Sequence, residues 1–329
     1  MVASGDVLKR IQIAGEQEFA GSRFPTAYAA SDEAISWELL EAWIEVNRGA
    51  LLREAFESGA VLFQGCPLQT AEDFDRFIAA FHLQNFPYEE SLSNAVRINK
   101  TPRVFTANEA PPTVSIFLHH EMAQTPVYPS RLFFFCEQAA ATGGATALCR
   151  SDVLWERIAR ECPDFARDCE EKGLRYSNVM PDVNDPESGM GRSWRSTLRV
   201  ETKGQAEARL AELKYDWTWL EGDSLRASTP ILPAVRDLKD GRKSFFNQLI
   251  AAFKGWKDKR NDPSKAITFG DGTPLDRTTV DNITLWADEL SFDLLWQTGD
   301  VAIVDNYVTM HGRRTFTGTR KVLASLVLG

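Results

Sequence analysis

The part of the chain best suited to chemistry is LHHEM, where His119, His120 and Glu121 stand side by side. The residues around them, 114–122, are mostly apolar and predict a β-strand. Side chains on a strand alternate between its two faces, so His119 and Glu121 point one way and His120 points the other. We therefore expect His119 and Glu121 to converge on one metal ion. We expect His120 to pack between apolar neighbours or to hydrogen-bond to a helix.

A second segment near the C-terminus supplies the context that a His-x-Glu pair lacks by itself. Residues 299–323 read as an apolar strand, then His311, an arginine-rich turn and a further strand that begins at Arg320. A second histidine on a neighbouring strand would complete a set of two histidines and one carboxylate. Such a set leaves open positions on an octahedral metal, which suits Fe(II) that must bind a cosubstrate and O₂.

A cosubstrate with two carboxylates also needs an anchor for its far end. The Arg320 guanidinium could pair with a carboxylate through two parallel hydrogen bonds, a geometry that lysine cannot copy. Thr146, in the stretch GGAT, could donate its hydroxyl to the same carboxylate. Judged by residue type alone, Arg320 could equally be a strand-edge charge and Thr146 an ordinary strand residue.

The composition excludes several classes of protein. The chain is 43% hydrophobic and 25% charged with a net charge of −9, and no block of Lys or Arg predicts nucleic-acid binding. The N-terminus lacks a signal-peptide stretch, and the apolar runs are too short to cross a membrane. Five scattered cysteines without a C-x-x-C spacing indicate neither a disulfide framework nor a cysteine zinc site. We therefore expect a cytoplasmic protein.

The elements that position these residues are predicted to form one domain over residues 1–329. Residues 1–90 are predicted to be mainly helical, apart from one buried strand at 60–67. From residue 91 onward, short apolar runs broken by turns indicate strands interrupted by helices. This pattern predicts a mainly β fold with helical insertions (α+β), built on a double-stranded β-helix, or jelly-roll, core. The predicted strands after residue 90 are 114–122, 130–138, 144–151, 242–249, 299–306 and 320–329, and the predicted helices of the chain are 36–59, 70–83, 151–173, 205–215 and 278–296.

Two loops rich in Gly, Pro, Asp and Ser, 180–194 and 259–274, are long for a compact domain. Loops of this length are often active-site covers, although plain surface loops are about as common. We interpret the regions that contain them, 180–215 and 255–298, as inserts or lids.

Together these segments resemble the Fe(II)/2-oxoglutarate-dependent dioxygenases of the taurine dioxygenase (TauD/TfdA, clavaminate-synthase-like) superfamily. Within it they look most like the branch named after the syringomycin-biosynthesis protein. The resemblance runs from about residue 85 to the end of the chain. Its motifs are TANEAPP (106–112), LHHEM (118–122), YPSRLFFFCEQAAATGGATALCRS (128–151), FFNQ (245–248), FGDGTPL (269–275) and GDVAIVDNYVTMHGRRTFTGTRKVL (299–323).

The resemblance implies a role for each candidate residue. His119, Glu121 and His311 would be the iron ligands, and Arg320, helped by Thr146, would bind the distal carboxylate of 2-oxoglutarate. A one-residue alignment slip would exchange Arg320 with the adjacent lysine. Bidentate geometry and the pattern of the branch favour the arginine.

Two further positions bear on the reaction and the substrate. Related halogenases have a small residue in place of the carboxylate ligand, so the presence of Glu121 predicts that this chain does not halogenate. Ala324 stands where taurine dioxygenase has an arginine that holds the substrate sulfonate, so a sulfonate substrate is not expected.

The implied cofactors are Fe(II), 2-oxoglutarate as cosubstrate and O₂, and the implied reaction hydroxylates an unactivated C–H bond with release of succinate and CO₂. The branch implies an amino acid or amino-acid-derived small molecule as substrate, either free or tethered to a carrier protein. Candidates for substrate contact are Asn108, Glu109, Asn247 and Arg313, where Glu109 would face an ammonium group and Arg313 a carboxylate. Alternatively, Asn108 and Glu109 cap a loop and Arg313 makes a structural ion pair.

Three alternatives remain open from the sequence. The same oxygenase machinery could catalyse desaturation, cyclisation or N-oxidation, because the outcome depends on how the substrate lies. The chain could be a non-catalytic jelly-roll binding protein, or a zinc hydrolase with the same three ligands, which would not explain GGAT or Arg320. The superfamily includes homo-oligomers, but the sequence offers no exposed apolar stripe from which to predict one.

Overall fold

The structure of the protein, a computed structural model, describes residues 7–31, 35–88, 91–93, 97–107, 110–185, 187–188, 190–256, 259–261 and 265–329. The strands are β1 (Leu8–Ile11), β2 (Gln17–Phe19), β3 (Ser22–Phe24), β4 (Thr26–Ala30), β5 (Ala60–Gln64), β6 (Gln84–Asn85), β7 (Phe105–Thr106), β8 (Ile116–His119), β9 (Arg131–Gln138), β10 (Thr142–Gly143), β11 (Thr146–Arg150), β12 (Leu174–Met180), β13 (Asp216–Trp219), β14 (Leu225–Ser228), β15 (Arg236–Asp237), β16 (Lys243–Ser244), β17 (Ile267–Phe269), β18 (Phe292–Leu294), β19 (Val301–Asp305), β20 (Thr309–Arg313), β21 (Phe316–Thr317) and β22 (Lys321–Leu328). The helices are α1 (Trp37–Ser58), α2 (Ala71–Ala79), α3 (Ser151–Glu161), α4 (Pro163–Lys172), α5 (Trp194–Leu198), α6 (Lys203–Glu212), α7 (Leu249–Gly255) and α8 (Arg277–Glu289).

Two sheets form the core that positions the site. The larger has the order β1-β4-β5-β19-β9-β22-β6, with β7 also pairing with β22, and the smaller has the order β18-β11-β20-β8. Side chains from both sheets meet in one buried cluster, in which Phe134 and Val304 come from the larger sheet and Leu148 and Leu294 from the smaller. Alternating inward-facing residues on both sheets are the pattern of a sandwich or jelly roll. The predicted jelly-roll core with helical insertions is confirmed.

The register of the smaller sheet brings the two histidine candidates together. In the pairing of β8 with β20, His311 lies opposite His119, and the register shifts between His311 and Arg313. In the pairing of β11 with β20, Thr146 lies opposite Arg313. Cross-strand neighbours in a sheet are close enough for their side chains to touch. Residues separated by almost 200 positions therefore share one face.

Helices α1 and α2 cover the outer face of the larger sheet. Leu40 and Ile44 of α1 and Phe74 of α2 are buried in one cluster with Phe133 and Phe135 of β9. Phe133 and Phe135 of β9 belong to this outer cluster, whereas Phe134 belongs to the cluster between the two sheets. Strand β9 is therefore buried on both faces, which explains why its residues are apolar without alternation. The run RLFFFC thus marks a central strand of the core.

The prediction of a mainly helical N-terminal part is right for α1 and α2 and wrong for residues 8–30. That segment forms β1 to β4, and β4 pairs in parallel with β5 while β1 pairs with β4. Its strands are short, and Tyr28–Ala30 are only partly buried, so alternation is weak in the sequence. For β4, the pairing with β5, more than 30 residues away, decides the conformation.

The predicted strand at 242–249 is also wrong for most of its length. Only Lys243–Ser244 forms a strand, and α7 begins at Leu249. Phe245 and Phe246 are buried because Phe245 packs against Trp155 and Phe246 against Tyr128. An apolar run can therefore mark packing against helices and loops as well as a strand.

A further small sheet, with the order β13-β14-β12-β17, is formed mostly by strands that flank the insert regions. A separate buried cluster that includes Trp194, Leu198 and Leu210 joins α5 and α6 to this sheet. The interpretation of 180–215 and 255–298 as lids stays a prediction. Among the described residues, no helix combines the length and the apolar character needed to cross a membrane.

Candidate metal centre and cosubstrate pocket

His119, Glu121 and His311 lie around one point. Each offers a ligand atom within 4.8 Å of those of the other two. His311 Nε2 lies 3.5 Å from Glu121 Oε2, and the two imidazole rings have their centroids 4.3 Å apart. Two imidazoles and one carboxylate are the donor set of non-haem Fe(II) oxygenases. The residues present therefore fit Fe(II).

The hydrogen bond of His119 orients its ring for a metal. Its Nδ1 lies 2.7 Å from the carbonyl oxygen of Phe117, and a carbonyl can only accept, so Nδ1 carries the proton. Nε2 of His119 is then the atom with a free lone pair. Burial, together with the neighbouring His311, lowers the pKa of His119 to about 4. The ring is therefore neutral near pH 7, as a metal ligand must be.

The carboxylate ligand is positioned by a turn. Strand β8 ends at His119, earlier than the predicted end at residue 122, and Met122 has a φ of 60°. The Asn306 side chain holds this turn, because its Oδ1 accepts from the backbone N–H of Glu121 at 2.8 Å and its Nδ2 donates to the Glu121 carbonyl at 3.0 Å. The Asn306 side chain thus provides the backbone hydrogen bonds of Glu121 that a neighbouring strand would provide if β8 continued past His119.

His120 lies away from the centre and has a packing role. It is fully buried, its ring centroid lies 4.7 Å from that of Phe246, and its Nδ1 lies 2.5 Å from the carbonyl oxygen of Asn306. Burial lowers the pKa of His120 to about 3. The packing against an apolar neighbour agrees with the prediction, while the hydrogen-bond partner is the turn after β19 and not a helix.

Arg97 is the residue at this centre that the sequence did not reveal. Its Nη2 lies 3.3 Å from Glu121 Oε1 and 3.4 Å from Oε2, and its side chain is only 8% exposed. The guanidinium carbon lies 4.8 Å from the Tyr88 ring centroid and 5.4 Å from that of Phe105. Burial alone would raise the pKa of Glu121, but Arg97 and His311 hold it well below its usual range.

A pocket next to the ligands contains the predicted anchor for 2-oxoglutarate. Its lining includes His119 and His311 together with Thr146, Arg313 and Arg320. Arg320 Nη2 lies 3.3 Å from Thr146 Oγ1, and its Nε donates to the carbonyl of Gly144 at 2.8 Å. Burial and the neighbouring Arg313 lower the pKa of Arg320 to about 10, which leaves it cationic at neutral pH.

The structure separates Arg320 from its neighbour in sequence. The Lys321 side chain is 57% exposed, with its Nζ 3.9 Å from Glu137 Oε2, whereas Arg320 lines the pocket. The Thr146 hydroxyl also accepts a hydrogen bond from the Trp296 indole at 2.8 Å. The arginine, not the lysine, is therefore placed to meet a carboxylate.

The residues predicted to contact the substrate do not all lie at the pocket. Asn108 and Glu109 lie outside the described residues. Asn247 is buried, its Nδ2 donates to the Ala234 carbonyl at 2.9 Å and its Oδ1 accepts from the Leu249 N–H at 2.8 Å. Because these bonds use the Asn247 amide to begin α7, the structure does not support its prediction as a substrate contact.

Arg313 lines the pocket but is engaged with the backbone. Its Nη1 donates to the carbonyl of Ala110 at 2.9 Å, and its Nη2 donates to those of Pro111 and Val114 at 2.8 Å each. These contacts hold the loop before β8. The predicted pairing of Arg313 with a substrate carboxylate stays a prediction.

Comparison with known proteins agrees with this geometry. A family model described as "Taurine catabolism dioxygenase TauD, TfdA family" matches residues 22–326. A clavaminate synthase-like protein of Arabidopsis thaliana is 41% identical over 294 residues, which cover 89% of this chain and 88% of that protein. The dapdiamide synthesis protein DdaC of Enterobacter agglomerans is 27% identical over 288 residues, which cover 82% of each.

Solved structures show the same fold at low sequence identity. An asparagine oxygenase in complex with Fe(II), hydroxyasparagine and succinate is 13% identical, with a TM-score of 0.53, and the match covers 89% of this chain and 84% of that one. PvcB from Pseudomonas aeruginosa is 13% identical, with a TM-score of 0.52, over 98% of this chain and 90% of that one. At such identities the likeness concerns the fold.

Proposed function

The chain belongs to the TauD, TfdA family of Fe(II)- and 2-oxoglutarate-dependent dioxygenases, and we propose that it hydroxylates an unactivated C–H bond of an amino acid or amino-acid-derived small molecule. The observation that carries this proposal is one pocket in which His119 and His311 lie next to Thr146 and Arg320. The narrower assignment to the syringomycin branch stays a prediction.

In this proposal the residues of the chain bind the metal and fix the position of the cosubstrate. His119 Nε2, a Glu121 oxygen and His311 would hold Fe(II), and the Arg320 guanidinium would pair with the distal carboxylate of 2-oxoglutarate. When bound, the metal and cosubstrate supply the activation of O₂, with release of succinate and CO₂. A zinc hydrolase built on the same three ligands would have no use for the contact between Arg320 and Thr146.

Three observations support the substrate class and the reaction. Glu121 supplies the third ligand, which a halogenase would lack. Ala324, in β22, is buried in the cluster between the two sheets and has no positive charge that could bind a sulfonate. The similarity to a dapdiamide synthesis protein supports a biosynthetic small molecule, free or carrier-tethered, as the substrate.

The proposal is tested by spectroscopy and then by product analysis. The metal-free protein would be mixed anaerobically with Fe(II) and 2-oxoglutarate, and chelation of the keto acid should produce a weak visible charge-transfer band. His119→Ala and Arg320→Ala should weaken the band, while Lys321→Ala should keep it because this side chain faces solvent. A folded wild-type protein without the band would contradict the cosubstrate site.

The second step decides the reaction. Amino acids would be screened for succinate release, and the product of an active substrate would be weighed by mass spectrometry. Hydroxylation adds one oxygen atom, whereas desaturation removes two hydrogens. A product without an added oxygen atom would contradict hydroxylation and indicate desaturation or cyclisation by the same oxygenase machinery.

A further inference from the structure

Three residues that each carry a buried, unpartnered polar atom line one small cavity. Gln124 Oε1, Asn178 Nδ2 and Thr197 Oγ1 have no hydrogen-bond partner in the part of the chain that the structure describes. All three residues line the same cavity, and Gln124 and Thr197 are more than nine-tenths buried. Buried polar atoms are nearly always paired in native proteins. The cavity is therefore built to receive something that forms hydrogen bonds.

The three atoms come from separate parts of the fold. Gln124 is in the turn that follows Glu121, Asn178 is in β12 and Thr197 is in α5. Gln124 follows Glu121 by three residues, so their Cα atoms cannot lie more than about 11 Å apart. The backbone at one wall of the cavity thus lies close to that of the carboxylate ligand.

The lining of the cavity is neutral. It consists of hydroxyls, amides and apolar or aromatic side chains, among them Tyr176 and Trp256, and contains no Asp, Glu, Lys or Arg among the described residues. A carboxylate or an ammonium group would have no opposite charge here, and burying an unpaired charge is far more costly than burying an amide. The chemistry of the site therefore selects a neutral polar group.

The size of the cavity narrows the choice further. Its volume of about 30 Å³ accommodates roughly two water molecules, which is close to the few heavy atoms of a carboxamide. A wider cleft of about 660 Å³ shares Leu92, Thr197 and Leu198 with it. The small cavity can hold a terminal group while the cleft accepts the ligand from outside.

The wall between cavity and cleft is firmly held. Arg192 Nη1 donates to the carbonyls of Ser91 and Ser93 at 2.9 Å each, and its Nη2 donates to the carbonyl of Ser196 at 2.9 Å. These bonds tie the segment with Leu92 to the helix with Thr197. The unpartnered Thr197 hydroxyl is therefore held in place before a ligand binds, which lowers the entropic cost of binding.

We propose that this cavity binds a carboxamide group of the substrate. Gln124 Oε1 accepts from the amide N–H, while Asn178 Nδ2 and the Thr197 hydroxyl donate to the amide oxygen. The inference rests on the proposed function only in assigning the ligand as the substrate. The binding of the amide itself can be measured without iron or turnover.

The first experiment uses acetamide, acetate and methylammonium as probes of metal-free protein in ligand-detected NMR. Acetamide should bind with a Kd of about 1–100 mM, as expected for so few heavy atoms, while the two charged probes should not bind. Gln124→Met and Thr197→Val keep side-chain volume but remove the polar atom, and each should weaken acetamide binding at least ~10-fold. Thr284→Val, on α8 and bonded to its own helix, is the matched control and should bind like wild type.

Three outcomes would overturn the inference. They are no acetamide binding by a folded protein at about 100 mM, equal binding of acetate, and equal binding by the two cavity variants. Any of them would mean that the cavity holds only water. Circular dichroism and the charge-transfer band with Fe(II) and 2-oxoglutarate would verify that the variants are folded.

A turnover arm separates this inference from the proposed function. Amide-bearing amino acids, such as L-glutamine, would be compared with the corresponding acids for succinate release, and Thr197→Val should raise KM for the amides only. Succinate release with amino acids but no acetamide binding would leave the function standing and remove the cavity assignment. Specific acetamide binding without any turnover would support the cavity assignment and contradict the proposed function.

Discussion

A single guanidinium nitrogen of Arg97 bridges both carboxylate oxygens of Glu121, at 3.3 Å from Oε1 and 3.4 Å from Oε2. The Arg97 guanidinium packs against the rings of both Tyr88 and Phe105, so its direction is set by packing. A metal ligand held by a buried partner keeps its orientation before the metal arrives. Arg97 is thus a positioning residue for the carboxylate ligand.

Replacement of this arginine should weaken metal binding. Arg97→Met keeps much of the packing but leaves the Glu121 carboxylate without its partner, and we expect affinity for Fe(II) or Co(II) to fall ~10–100-fold. Anaerobic titration of the metal-free protein with Co(II), followed by absorbance, would measure this. The control is Arg157→Met, which removes a pair with the exposed Glu289. Equal affinities for both variants would show that Arg97 only fills space.

Arg320 and Lys321 can be distinguished by reciprocal substitutions. Arg320→Lys removes the planar fork that pairs with a carboxylate, so the Kd for 2-oxoglutarate should rise ~10–100-fold. Lys321→Arg should leave the Kd unchanged because Lys321 is exposed beside Glu137. The intensity of the charge-transfer band against 2-oxoglutarate concentration measures both values. The opposite result would mean that the lysine holds the cosubstrate.

Gly312 should be intolerant of a side chain. A Cβ at this position would lie 2.6 Å from the carbonyl oxygen of Ile116, so β8 would have to move away from β20 and take His119 with it. Gly312→Ala should lower the free energy of unfolding by about 1–3 kcal/mol and weaken metal binding. Urea unfolding and Co(II) titration would measure the two effects.

A second glycine variant is the matched control for Gly312→Ala. A Cβ at Gly204, in α6, would meet no atom within 4 Å, so Gly204→Ala should stabilise by about 0.5–1 kcal/mol. Gly312→Ala with wild-type stability and metal affinity would show that the two strands can separate without cost to the centre.

Asp300 should make stability depend on pH. It is 2% exposed, and burial raises its pKa from 3.8 to about 6, although it accepts from the Gln297 N–H at 2.9 Å. The folded state therefore holds the proton more tightly than the unfolded state. The resulting stabilisation is fully present below about pH 4 and is lost as the pH rises through about 6.

Asp300→Asn should remove this dependence. The amide oxygen can still accept from Gln297 and carries no charge, so the variant should be more stable than wild type by about 3 kcal/mol near pH 7. Near pH 4 the two proteins should be similar. Urea unfolding at both pH values would measure the difference. A constant difference would indicate that Asp300 is ionised in the folded state throughout.

Local chemistry and local pattern were readable from the sequence. His119, Glu121 and His311, with an arginine at the start of the last strand, are informative because few residue types can bind iron or pair with a carboxylate. The strands β9, β19 and β22 were predictable as short apolar runs, and the helices α1 and α2 from apolar residues at helical spacing. The helix predicted at 278–296 is right for α8 but wrong beyond Glu289, because Phe292–Leu294 forms β18. The jelly-roll core follows from these elements and was predicted correctly.

The tertiary structure decided what depends on contacts between distant segments. The turn that aims Glu121 is held by Asn306, 185 residues away, and no local pattern marks that bond. Arg97 lies 24 residues before Glu121 and pairs with it only because the chain folds back. Among residues 8–30, β4 pairs with the distant β5 and β1 pairs with β4.

The same reason applies to the cavity of Gln124, Asn178 and Thr197. Each of these residues is unremarked in the sequence, since amides and hydroxyls occur throughout any chain. They become a site only where β12, α5 and the turn after β8 enclose them together. The reaction class was predictable from residue types and their spacing, because few side chains bind iron or pair with a carboxylate. The enclosure of these three side chains was not, because contacts between segments distant in the chain leave no local pattern.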